Sequence, residues 1–525
     1  MRKFWRVLCA IIAILFLLGT WQLGRLQRLG PPHFDTTLDG NVPATVYFPG
    51  KPGSLANAPF PLPNQQRLPA IVLLHGYSAD RASVSTLARR LAQNGIAVVS
   101  IEFAGHGINR NALSPGLTDD TLVKEIRAAV EYVRSLPLLD GSRVIVMGHS
   151  MGAGAALDYA QKDKSITGAV MISGGFDLYG PERPRNALFI YAQHDPDFIR
   201  MLAREIAAKL AGTEQITLNR VYGDSRAGTA VEAIEVPGVD HFRILFSDTA
   251  AVEILNWCDR LFGIRRPVAP DLSDPRIQAQ AIVFALFILL LVPIGFGLGA
   301  VAPVNPQRSA VLWECLIGLA AVAGALLAAL PLVSTYMPAH FLALDSGDVL
   351  ISWLSVAGLG AVGALSLSGG LTRLNLDQDL TITVLTALFG FASIYAIQVP
   401  RDVTLHNLSF TPERLVAFIF STMLLVPFFF GFETLIRRGG PWTSLALGAS
   451  GRVIIILVLI LGLAAGIMPA LVSVLLPVLV IFMIESEIVS ASIYARSGNI
   501  AVAALLESAW LAWMIAAIVP ITIML

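Results

Sequence analysis

A serine lies between two glycines where an apolar run gives way to small residues. Residues 144–155 read VIVMGHSMGAGA, and Ser150 is the centre of the pentapeptide 148–152, GHSMG. A strand that turns sharply into a helix strains the backbone at the turn residue, so small residues are needed two positions to either side. The new helix directs free N–H groups at whatever binds there. The pattern predicts that Ser150 is a nucleophile.

A nucleophilic serine needs a base that takes its proton. The chain has eight histidines. We predict that His241 is the base, because it follows a strand-like stretch (230–236) and a turn (237–240) and precedes a helical run (246–262). This order places His241 in a loop at the end of a strand.

The base needs an acid that orients it, and the predicted acid is Asp195. Residues 186–193, NALFIYAQ, have the pattern of a buried strand, and Asp195 follows it directly. The carboxyl ends of parallel strands meet at one edge of a sheet, where such side chains converge. Asp177 and Asp240 are the alternatives. Asp240 is disfavoured because adjacent residues rarely face each other productively.

An oxyanion hole would complete this set of residues. Residues 68–74, LPAIVLL, have the pattern of a strand that ends in His75-Gly76-Tyr77. Gly76 allows backbone N–H groups to turn toward the serine. The predicted donors are the N–H groups of Tyr77 and Met151, and loss of one such donor typically costs about 3 kcal/mol of transition-state stabilisation.

Short apolar runs alternate with segments of helical spacing around these residues. Runs of this kind fill a parallel sheet that is buried on both faces, and the alternation predicts a doubly wound, mostly parallel α/β sheet. The predicted strands are 71–74, 96–101, 144–147, 166–172 and 188–192, and the predicted helices are 82–94, 122–134, 153–161 and 197–210.

Residues 70 to about 262 resemble the α/β-hydrolase superfamily, in its serine esterase and lipase branch. Four motifs carry the resemblance: HGY at 75–77, EFAGHG at 102–107, GHSMG at 148–152, and the order serine, Asp195, His241. The resemblance implies a serine hydrolase fold with the roles assigned above. It covers less than half of the chain.

The sequence departs from the family pattern in two places. Glu102 and Ala104 stand where the second motif usually has Asp and Arg, which puts the anchoring of that loop in doubt. Only about a dozen residues separate the strand that ends near Gly174 from the one that begins at Asn186, where many family members insert a helical cap. The domain is therefore predicted to lack a lid of its own.

The composition of the whole chain indicates a membrane protein. The 525 residues are 55% hydrophobic and only 14% charged, with a mean hydropathy of +0.67. Most of the excess follows Pro275, and most of the runs reach the ~20 residues that a helix needs to cross a bilayer. About eight crossings are predicted, with the two around Pro469 short enough for a tight hairpin or a re-entrant pair. The runs are 277–300, 309–330, 349–368, 380–399, 415–432, 453–468, 470–484 and 500–525.

The N-terminus adds another apolar segment, residues 4–20, with a poor signal-peptidase site after it, so an uncleaved anchor is favoured. The predicted organisation is an anchor (1–29), an α/β-hydrolase domain (30–265), a linker (266–276) and an all-α transmembrane helix bundle (277–525). The lipid bilayer is thus a predicted partner of an integral, multi-pass membrane protein.

The arginines of the short loops set the predicted orientation. An inside N-terminus places most of them inside and makes the hydrolase domain extracytoplasmic. Arg265, Arg266 and Arg276 oppose this bias, but they can belong to the edge of the folded domain. The predicted inside residues are Arg308, Arg373, Arg437, Arg438, Arg452 and Arg496, against Arg401 and Arg414 outside.

Other site classes find little support in the sequence. Cys9, Cys258 and Cys315 are scattered, which implies no disulfide framework. No spacing of His, Asp, Glu and Cys indicates a metal, and no cofactor is predicted. The formal net charge is zero without a long basic run, so nucleic acid is excluded as an expected partner.

Four glutamates fall in or near the apolar runs: Glu314, Glu485, Glu487 and Glu507. Ionisable groups are costly in a membrane, so they indicate either a proton or substrate path or a carboxylic acid that is hydrogen-bonded between helices. The second interpretation is favoured, since no intramembrane lysine or histidine accompanies them.

The leading hypothesis is a membrane-embedded serine hydrolase that cleaves carboxylic esters through an acyl-enzyme. A lidless site tethered to a bilayer meets hydrophobic acyl substrates at high local concentration, so lipid-like esters are expected, and peptide hydrolysis is less favoured. The alternatives are a transporter or channel with an α/β-hydrolase sensing module, since eight helices exceed what an anchor requires, and an acyltransferase.

Overall fold

The computed structural model describes residues 2–50, 67–114, 120–174, 183–305, 309, 311–337, 341–367, 379–398 and 406–522. The chain divides into two compact units. One comprises residues 23–278 with 402–407, and the other comprises residues 1–22, 279–401 and 408–525. The first helix, α1, spans Arg2–Arg28. The predicted domain boundaries at residues 30, 266 and 277 stay predictions.

The first unit is built on an eight-stranded sheet in the order β1-β2-β4-β3-β5-β6-β7-β8. The first two strands are antiparallel to their neighbours, and the six others run parallel. The strands are β1 (His33–Leu38), β2 (Val42–Tyr47), β3 (Leu68–Leu74), β4 (Ala97–Ile101), β5 (Leu139–His149), β6 (Gly168–Ile172), β7 (Ala187–Ala192) and β8 (Val231–Val236).

Among the described residues, five helices accompany this sheet. In β6 and β7 every residue is buried, as the uninterrupted apolar runs require. The prediction of a doubly wound, mostly parallel α/β sheet is therefore confirmed. The helices are α2 (Ser85–Gln93), α3 (Thr121–Ser135), α4 (Met151–Lys162), α5 (Asp197–Ala211) and α6 (Asp248–Phe262).

The sequence analysis missed the two antiparallel strands, β1 and β2. They are joined by a short 3-10 turn, Asp39–Asn41, in which Gly40 has a φ of 75°. An Asp-Gly pair between runs of Thr and Val is a hairpin signal, but β1 is mostly exposed and lacks an apolar run. Exposed edge strands do not show the continuous hydrophobicity on which the prediction depended.

The second unit consists of helices packed around a common apolar core. The helices are α7 (Arg276–Val301), α8 (Leu312–Tyr336), α9 (Gly347–Leu367), α10 (Leu380–Gln398), α11 (Pro412–Ile436), α12 (Pro441–Ala464), α13 (Leu476–Ser497) and α14 (Ile500–Ile518). Within the described part of the chain, nine helices, counting α1, are long and apolar enough to cross a membrane.

The surface of these helices is apolar as well. Phe389 and Leu380 on α10 are 67% and 71% exposed, and Trp442 on α12 is 83% exposed. Contiguous exposed apolar surface of this kind needs an apolar environment to cover it. The helical unit has the character of a multi-pass membrane protein.

Two predictions about this unit were wrong. The runs on either side of Pro469 are not a short pair: α12 has 24 residues, and the following apolar span, residues 470–497, has 28. Arg452 was assigned to a loop, yet it lies inside α12 and is buried, as is Arg437 just after α11. A guanidinium tolerates such a position only when carboxylates neutralise it, and the sequence pattern does not show that pairing.

Candidate active site

The turn from β5 into α4 has the backbone strain that the pentapeptide predicts. Ser150 has a φ of 52° and a ψ of −116°, in the region that residues with a side chain rarely adopt. Its N–H donates to the carbonyl of Ile172, 2.9 Å away, and its own carbonyl accepts from Ala153 at 2.9 Å. These bonds hold Ser150 at the apex between strand and helix.

Close packing explains the glycine two residues after the serine. A Cβ built on Gly152 would lie 2.5 Å from the carbonyl oxygen of His75 and 2.9 Å from that of Leu74. Any side chain at this position would push α4 away from the end of β3. The glycine therefore allows the new helix to approach the neighbouring strand.

The structure brings the two other predicted residues together. The Nδ1 atom of His241 lies 2.6 Å from Oδ1 of Asp195. A carboxylate only accepts hydrogen bonds, so Nδ1 carries the proton and donates it to Asp195. In the neutral imidazole, Nε2 is then the ring nitrogen that can accept a proton, which is the tautomer that a general base needs.

Asp195 is held by more than the histidine. Its side chain is buried, Oδ2 accepts from the hydroxyl of Ser173 at 2.7 Å, and the N–H of Ala192 donates to the same oxygen at 2.8 Å. Burial alone would raise the pKa of Asp195, but the hydrogen bonds from His241 and Ser173 outweigh it and keep that pKa below its usual value. The carboxylate stays ionised at neutral pH.

Ser173 is a residue that the sequence analysis did not assign. It directly follows β6 and has a φ of 49°, so its hydroxyl comes from a strained turn at the same sheet edge as the serine, the acid and the base. A short polar residue at the carboxyl end of a parallel strand was the available signal. It went unused because a single serine after a strand is common.

His149 connects the serine turn to the loop of the base. Its Nε2 lies 2.8 Å from the carbonyl oxygen of His241, and the two rings are 4.8 Å apart. Burial, with a smaller effect from the neighbouring His241, lowers the pKa of His149 to about 3. The ring is thus neutral, and its Nε2–H donates to the backbone of the residue that serves as base. The sequence analysis gave His149 no role.

The turn after β3 lies directly against the serine. A Cβ built on Gly76 would be 3.1 Å from Nδ1 of His149 and 3.2 Å from Cβ of Ser150. Tyr77 follows in this turn, and Met151 is the first residue of α4. Both predicted oxyanion donors therefore belong to segments that meet at Ser150, and their N–H groups remain the predicted oxyanion hole.

His75 is part of the framework of the site. Its Nδ1 donates to the carbonyl of Gly76 at 2.8 Å, and its Nε2 accepts from the N–H of Phe103 at 3.0 Å. Burial lowers the pKa of His75 to about 4, so the ring is neutral and both nitrogens are used. His75 fixes the turn after β3 to the loop after β4.

The loop after β4 is anchored despite its departure from the family pattern. The Oε2 atom of Glu102 accepts from the N–H of Ile108 at 3.1 Å and lies 3.5 Å from Nε of Arg81. Burial raises the pKa of Glu102 to about 7. Glu125 on α3 accepts from the N–H of Ala104 at 2.8 Å, where the family pattern has an arginine. The doubt about anchoring was misplaced, because α3 supplies a second carboxylate.

One of the two alternative acids, Asp240, has another role. The Oδ1 atom of Asp240 accepts from the N–H groups of Phe242 and Arg243, at 3.1 and 2.9 Å, and so caps the turn beside His241. Asp177 lies outside the described residues. The connection from β6 to β7 spans residues 173–186, of which 175–182 lie outside the described part as well, so the predicted absence of a lid stays a prediction.

The described residues contain no group of three or more His, Cys, Asp or Glu side chains that could hold a metal ion. The chemistry of the site therefore has to be considered for the side chains themselves. A strained serine, a histidine whose Nε2 is unprotonated and a buried carboxylate are the components of acyl transfer to a hydroxyl nucleophile.

Comparison with known proteins agrees with this geometry. Residues 65–223 match the family of serine aminopeptidases, S33, which are hydrolases of the α/β type. Cutinase 2 of Thermobifida cellulosilytica is 28% identical over 26% of this chain and 45% of its own length. A bis(hydroxyethyl) terephthalate hydrolase of Streptomyces coelicolor is 29% identical over 24% of this chain and 39% of its own.

A solved structure of a hypothetical protein from Pseudomonas aeruginosa aligns with 45% of this chain and 94% of its own, at 15% identity and a TM-score of 0.31. The chain spans less than half the length of the two curated relatives named above. The match over residues 65–223, together with the sheet, establishes an α/β-hydrolase domain in this part of the chain.

Proposed function

We propose that the α/β-hydrolase domain is a serine esterase that cleaves hydrophobic, lipid-like carboxylic esters through an acyl-enzyme. Ser150 is the nucleophile, His241 the general base and then acid, and Asp195 the residue that orients the base. The observation that carries the proposal is the 2.6 Å contact between His241 and Asp195. The loop of His241 is bound to the serine turn by the hydrogen bond from His149 to the carbonyl of His241.

In the first half of the reaction, Oγ of Ser150 attacks the carbonyl carbon of the ester while Nε2 of His241 takes the hydroxyl proton. The carbonyl oxygen becomes an oxyanion that accepts hydrogen bonds from the N–H groups of Tyr77 and Met151. The tetrahedral intermediate then breaks its bond to the alcohol oxygen, which receives the proton from His241. The acyl group remains on Ser150.

In the second half, water replaces the alcohol. Nε2 of His241 takes a proton from the water as its oxygen attacks the acyl carbon, and the same oxyanion donors stabilise the intermediate. The bond to Oγ breaks, Ser150 recovers its proton from His241, and the carboxylic acid leaves. Asp195 stays ionised throughout and stabilises the imidazolium that forms in both halves.

Membrane embedding supports the choice of a lipid-like substrate. The helical unit carries nine apolar helices among the described residues and exposes large apolar side chains such as Phe389. A bilayer that covers this surface concentrates esters with long acyl chains near the hydrolase domain. The relatives named cutinase and bis(hydroxyethyl) terephthalate hydrolase favour ester over peptide cleavage.

The proposed orientation places the hydrolase domain outside the cytoplasm. Arg266, which opposed this orientation, binds Asp259 through two bonds of 2.6 and 2.7 Å, and Arg276 binds Asp274 at 2.6 Å. These arginines are neutralised within their own unit, so they do not act as free loop charges.

The test is hydrolysis of p-nitrophenyl esters of increasing chain length by the purified full chain in detergent, with the matching p-nitroanilides beside them. We expect ester turnover that rises in kcat/KM with chain length and little anilide turnover. Adding glycerol as an acceptor and analysing the products distinguishes free acid from a transferred acyl group.

The variants Ser150→Ala and Asp240→Asn are the controls, the first without the nucleophile and the second with an unchanged turn. Turnover that survives in Ser150→Ala would contradict the catalytic assignment. A preference for the shortest esters would contradict the lipid-like substrate while leaving the esterase in place.

A further inference from the structure

Five charged side chains meet inside the helical unit, on four different helices or directly after one. Glu433 lies on α11 and Arg437 just after it, Arg452 lies on α12, Glu487 on α13 and Glu507 on α14. We call them the charge cluster. Each is at most 5% exposed, so the apolar helices shield them from solvent.

All three side-chain nitrogens of Arg437 donate hydrogen bonds. Its Nε donates to Glu433 at 2.7 Å, and its two terminal nitrogens donate to Glu487 at 2.8 and 2.9 Å. Ser490 receives a further bond from the same guanidinium at 2.9 Å and donates its hydroxyl to Glu433 at 2.7 Å. Arg437, Glu433 and Glu487 thus form a closed network of charged hydrogen bonds.

Arg452 extends this network to the last helix. Its guanidinium donates to one oxygen of Glu487 and to Oε1 of Glu507, and it lies 3.5 Å from Glu433. The guanidinium also lies 5.1 Å from the centre of the Phe432 ring. Arg452 is shared among three carboxylates and is the only charged group that forms an ion pair with Glu507 among the described residues.

The charges in this cluster do not balance. Three carboxylates face two guanidinium groups, which leaves one negative charge in an apolar environment if all five are ionised. An uncompensated buried charge is costly, and the usual outcome is that the group binds a proton. An arginine does not release its proton in a protein, so a carboxylate has to be the site.

Glu507 has the free position for that proton. Its Oε1 accepts from Arg452, whereas its Oε2 is buried and has no hydrogen-bond partner among the described residues. Both oxygens of Glu433 and of Glu487 accept from arginine. Glu507 is therefore the carboxylate with the least compensation.

Other charged groups on the helices around Glu507 are engaged elsewhere. The guanidinium of Arg414 donates to the carbonyls of Ala516 and Val519, toward the other end of α14. Asp348 accepts from the N–H of Leu342. Glu485 lies two residues before Glu487, which turns it to another face of α13. Glu413 stands in the first turn of α11 and Arg496 in the last turn of α13, and α10 carries no charged residue.

Polar groups connect the cluster to one end of the helices. Arg437 follows the last residue of α11 and donates to the carbonyl of Ser444 in the first turn of α12, at 3.1 Å. Arg452 lies two turns further along α12, about 12 Å deeper at 1.5 Å per residue. A continuous series of hydrogen-bonding groups therefore leads from the end of two helices to Glu507.

We propose that the charge cluster is a proton-binding site of the helical unit, with Glu507 as the residue that carries the proton. The ligand is a proton that neutralises the unbalanced carboxylate. This site is independent of the ester chemistry proposed for the other unit, so its test uses no substrate.

The test is infrared absorption of the full chain in detergent at neutral pH. A protonated carboxyl has a carbonyl stretch above the amide I band, and this stretch shifts to lower frequency in D₂O. We expect the spectrum of the wild type minus that of Glu507→Gln to contain one such band, and the band to shift when the native protein is transferred to D₂O. Superimposable spectra would refute the proton on Glu507, and a band that does not shift would refute its assignment to an exchangeable carboxyl proton.

Charge balance gives a second, independent test. In Glu433→Gln or Glu487→Gln, two carboxylates face two guanidinium groups, so Glu507 can ionise. The intensity of the carbonyl band should therefore fall by about tenfold. A band of unchanged intensity in both variants would overturn the charge-balance argument. The matched control is Glu314→Gln, which removes a half-exposed carboxylate that pairs with Arg438 at 3.1 Å and should leave the band unchanged.

Two further measurements keep the result interpretable. Thermal unfolding reports whether each variant folds, and Glu507→Gln should, because an amide has the shape of a protonated carboxyl. Incorporation of glutamate with a ¹³C-labelled side-chain carboxyl shifts the band in the wild type itself and needs no variant. A band that this label leaves in place would contradict a proton on a glutamate.

Discussion

At the scale of single residues, the account rests on a hydrogen-bonded series from Ser173 through Asp195 to His241. Each bond has one chemically allowed direction, since a carboxylate accepts and a hydroxyl or N–H donates. The series therefore fixes the tautomer of His241 without any assumption about the substrate. It is the part of the site that single substitutions test most clearly.

Replacing Asp195 with Asn should lower kcat for ester hydrolysis by about 10³–10⁴-fold with little change in KM, because an amide can donate to Nδ1 and stabilise the wrong tautomer. Steady-state kinetics on a p-nitrophenyl ester measure this. Asp240→Asn keeps the oxygen that accepts from Phe242 and Arg243, so its kcat should stay within about twofold of the wild type. Equal losses in both variants would contradict the assignment of the acid.

His149 should act as a positioning residue. His149→Ala removes the bond to the backbone carbonyl of His241, and a hydrogen bond contributes about 0.5–1.5 kcal/mol, so kcat should fall about tenfold at unchanged KM. His149→Gln can donate from its amide and should recover most of the rate. If His149→Gln is as slow as His149→Ala while both are folded, the bond does not position the base.

At the scale of elements, the site forms where five parallel strands end at one edge of the sheet. The sequence predicted all five strands and assigned site residues at the ends of four of them. The fifth contribution, Ser173, was missed, since its role depends on the register of β6 beside β7, which pairs residues far apart in sequence. The loop after β4 was misjudged for a similar reason: Glu125 on α3 supplies a contact that the motif alone does not contain.

The contact between the turn after β3 and the serine turn should be sensitive to one methyl group. Gly76→Ala places a Cβ 3.1 Å from Nδ1 of His149 and 3.2 Å from Cβ of Ser150, so the turn must move away from the serine. Loss of one oxyanion donor costs about 3 kcal/mol, and we expect kcat to fall by about 10²-fold. Thermal unfolding should show a folded protein; wild-type kcat in this variant would show that the turn does not serve the oxyanion.

The buried histidines should make the hydrolase domain sensitive to acid. The pKa of His149 is lowered to about 3 and that of His75 to about 4. Below pH ~6.5 the unfolded chain therefore binds protons that the folded chain does not, and stability falls by up to ~1.4 kcal/mol per pH unit for each histidine until the folded pKa is reached. We expect thermal unfolding to show that His149→Gln loses stability less steeply than the wild type between pH 6.5 and 4. If the stability of the two proteins falls in parallel over this pH range, a neutral His149 in the folded state is contradicted.

At the scale of the whole molecule, the motifs predicted a hydrolase domain and the composition predicted an apolar helical part, and both are present. Composition could not predict which arginines lie in loops. Arg437 and Arg452 were counted as loop charges, although three glutamates neutralise them between helices. Such pairing depends on the packing of four helices. The orientation argument therefore rests on fewer arginines than the sequence suggested.

Cysteine labelling in intact cells tests the proposed orientation. Glu214 is exposed on the hydrolase domain, and Ser309 is exposed in the segment predicted to lie inside. We expect a membrane-impermeant maleimide to label Glu214→Cys in intact cells and Ser309→Cys only after lysis, while Cys258 and Cys315 are buried in both variants. The reverse pattern would place the hydrolase domain in the cytoplasm.

The most direct measurement for the central claim is reaction of the purified full chain with a fluorophosphonate, followed by mass spectrometry of the intact protein and its peptides. The account predicts one adduct per chain, located on Ser150, absent in Ser150→Ala and formed far more slowly in His241→Ala, where no base takes the serine proton. A folded wild type without an adduct, or equal labelling of Ser150→Ala at another residue, would contradict the assignment of Ser150 as the nucleophile.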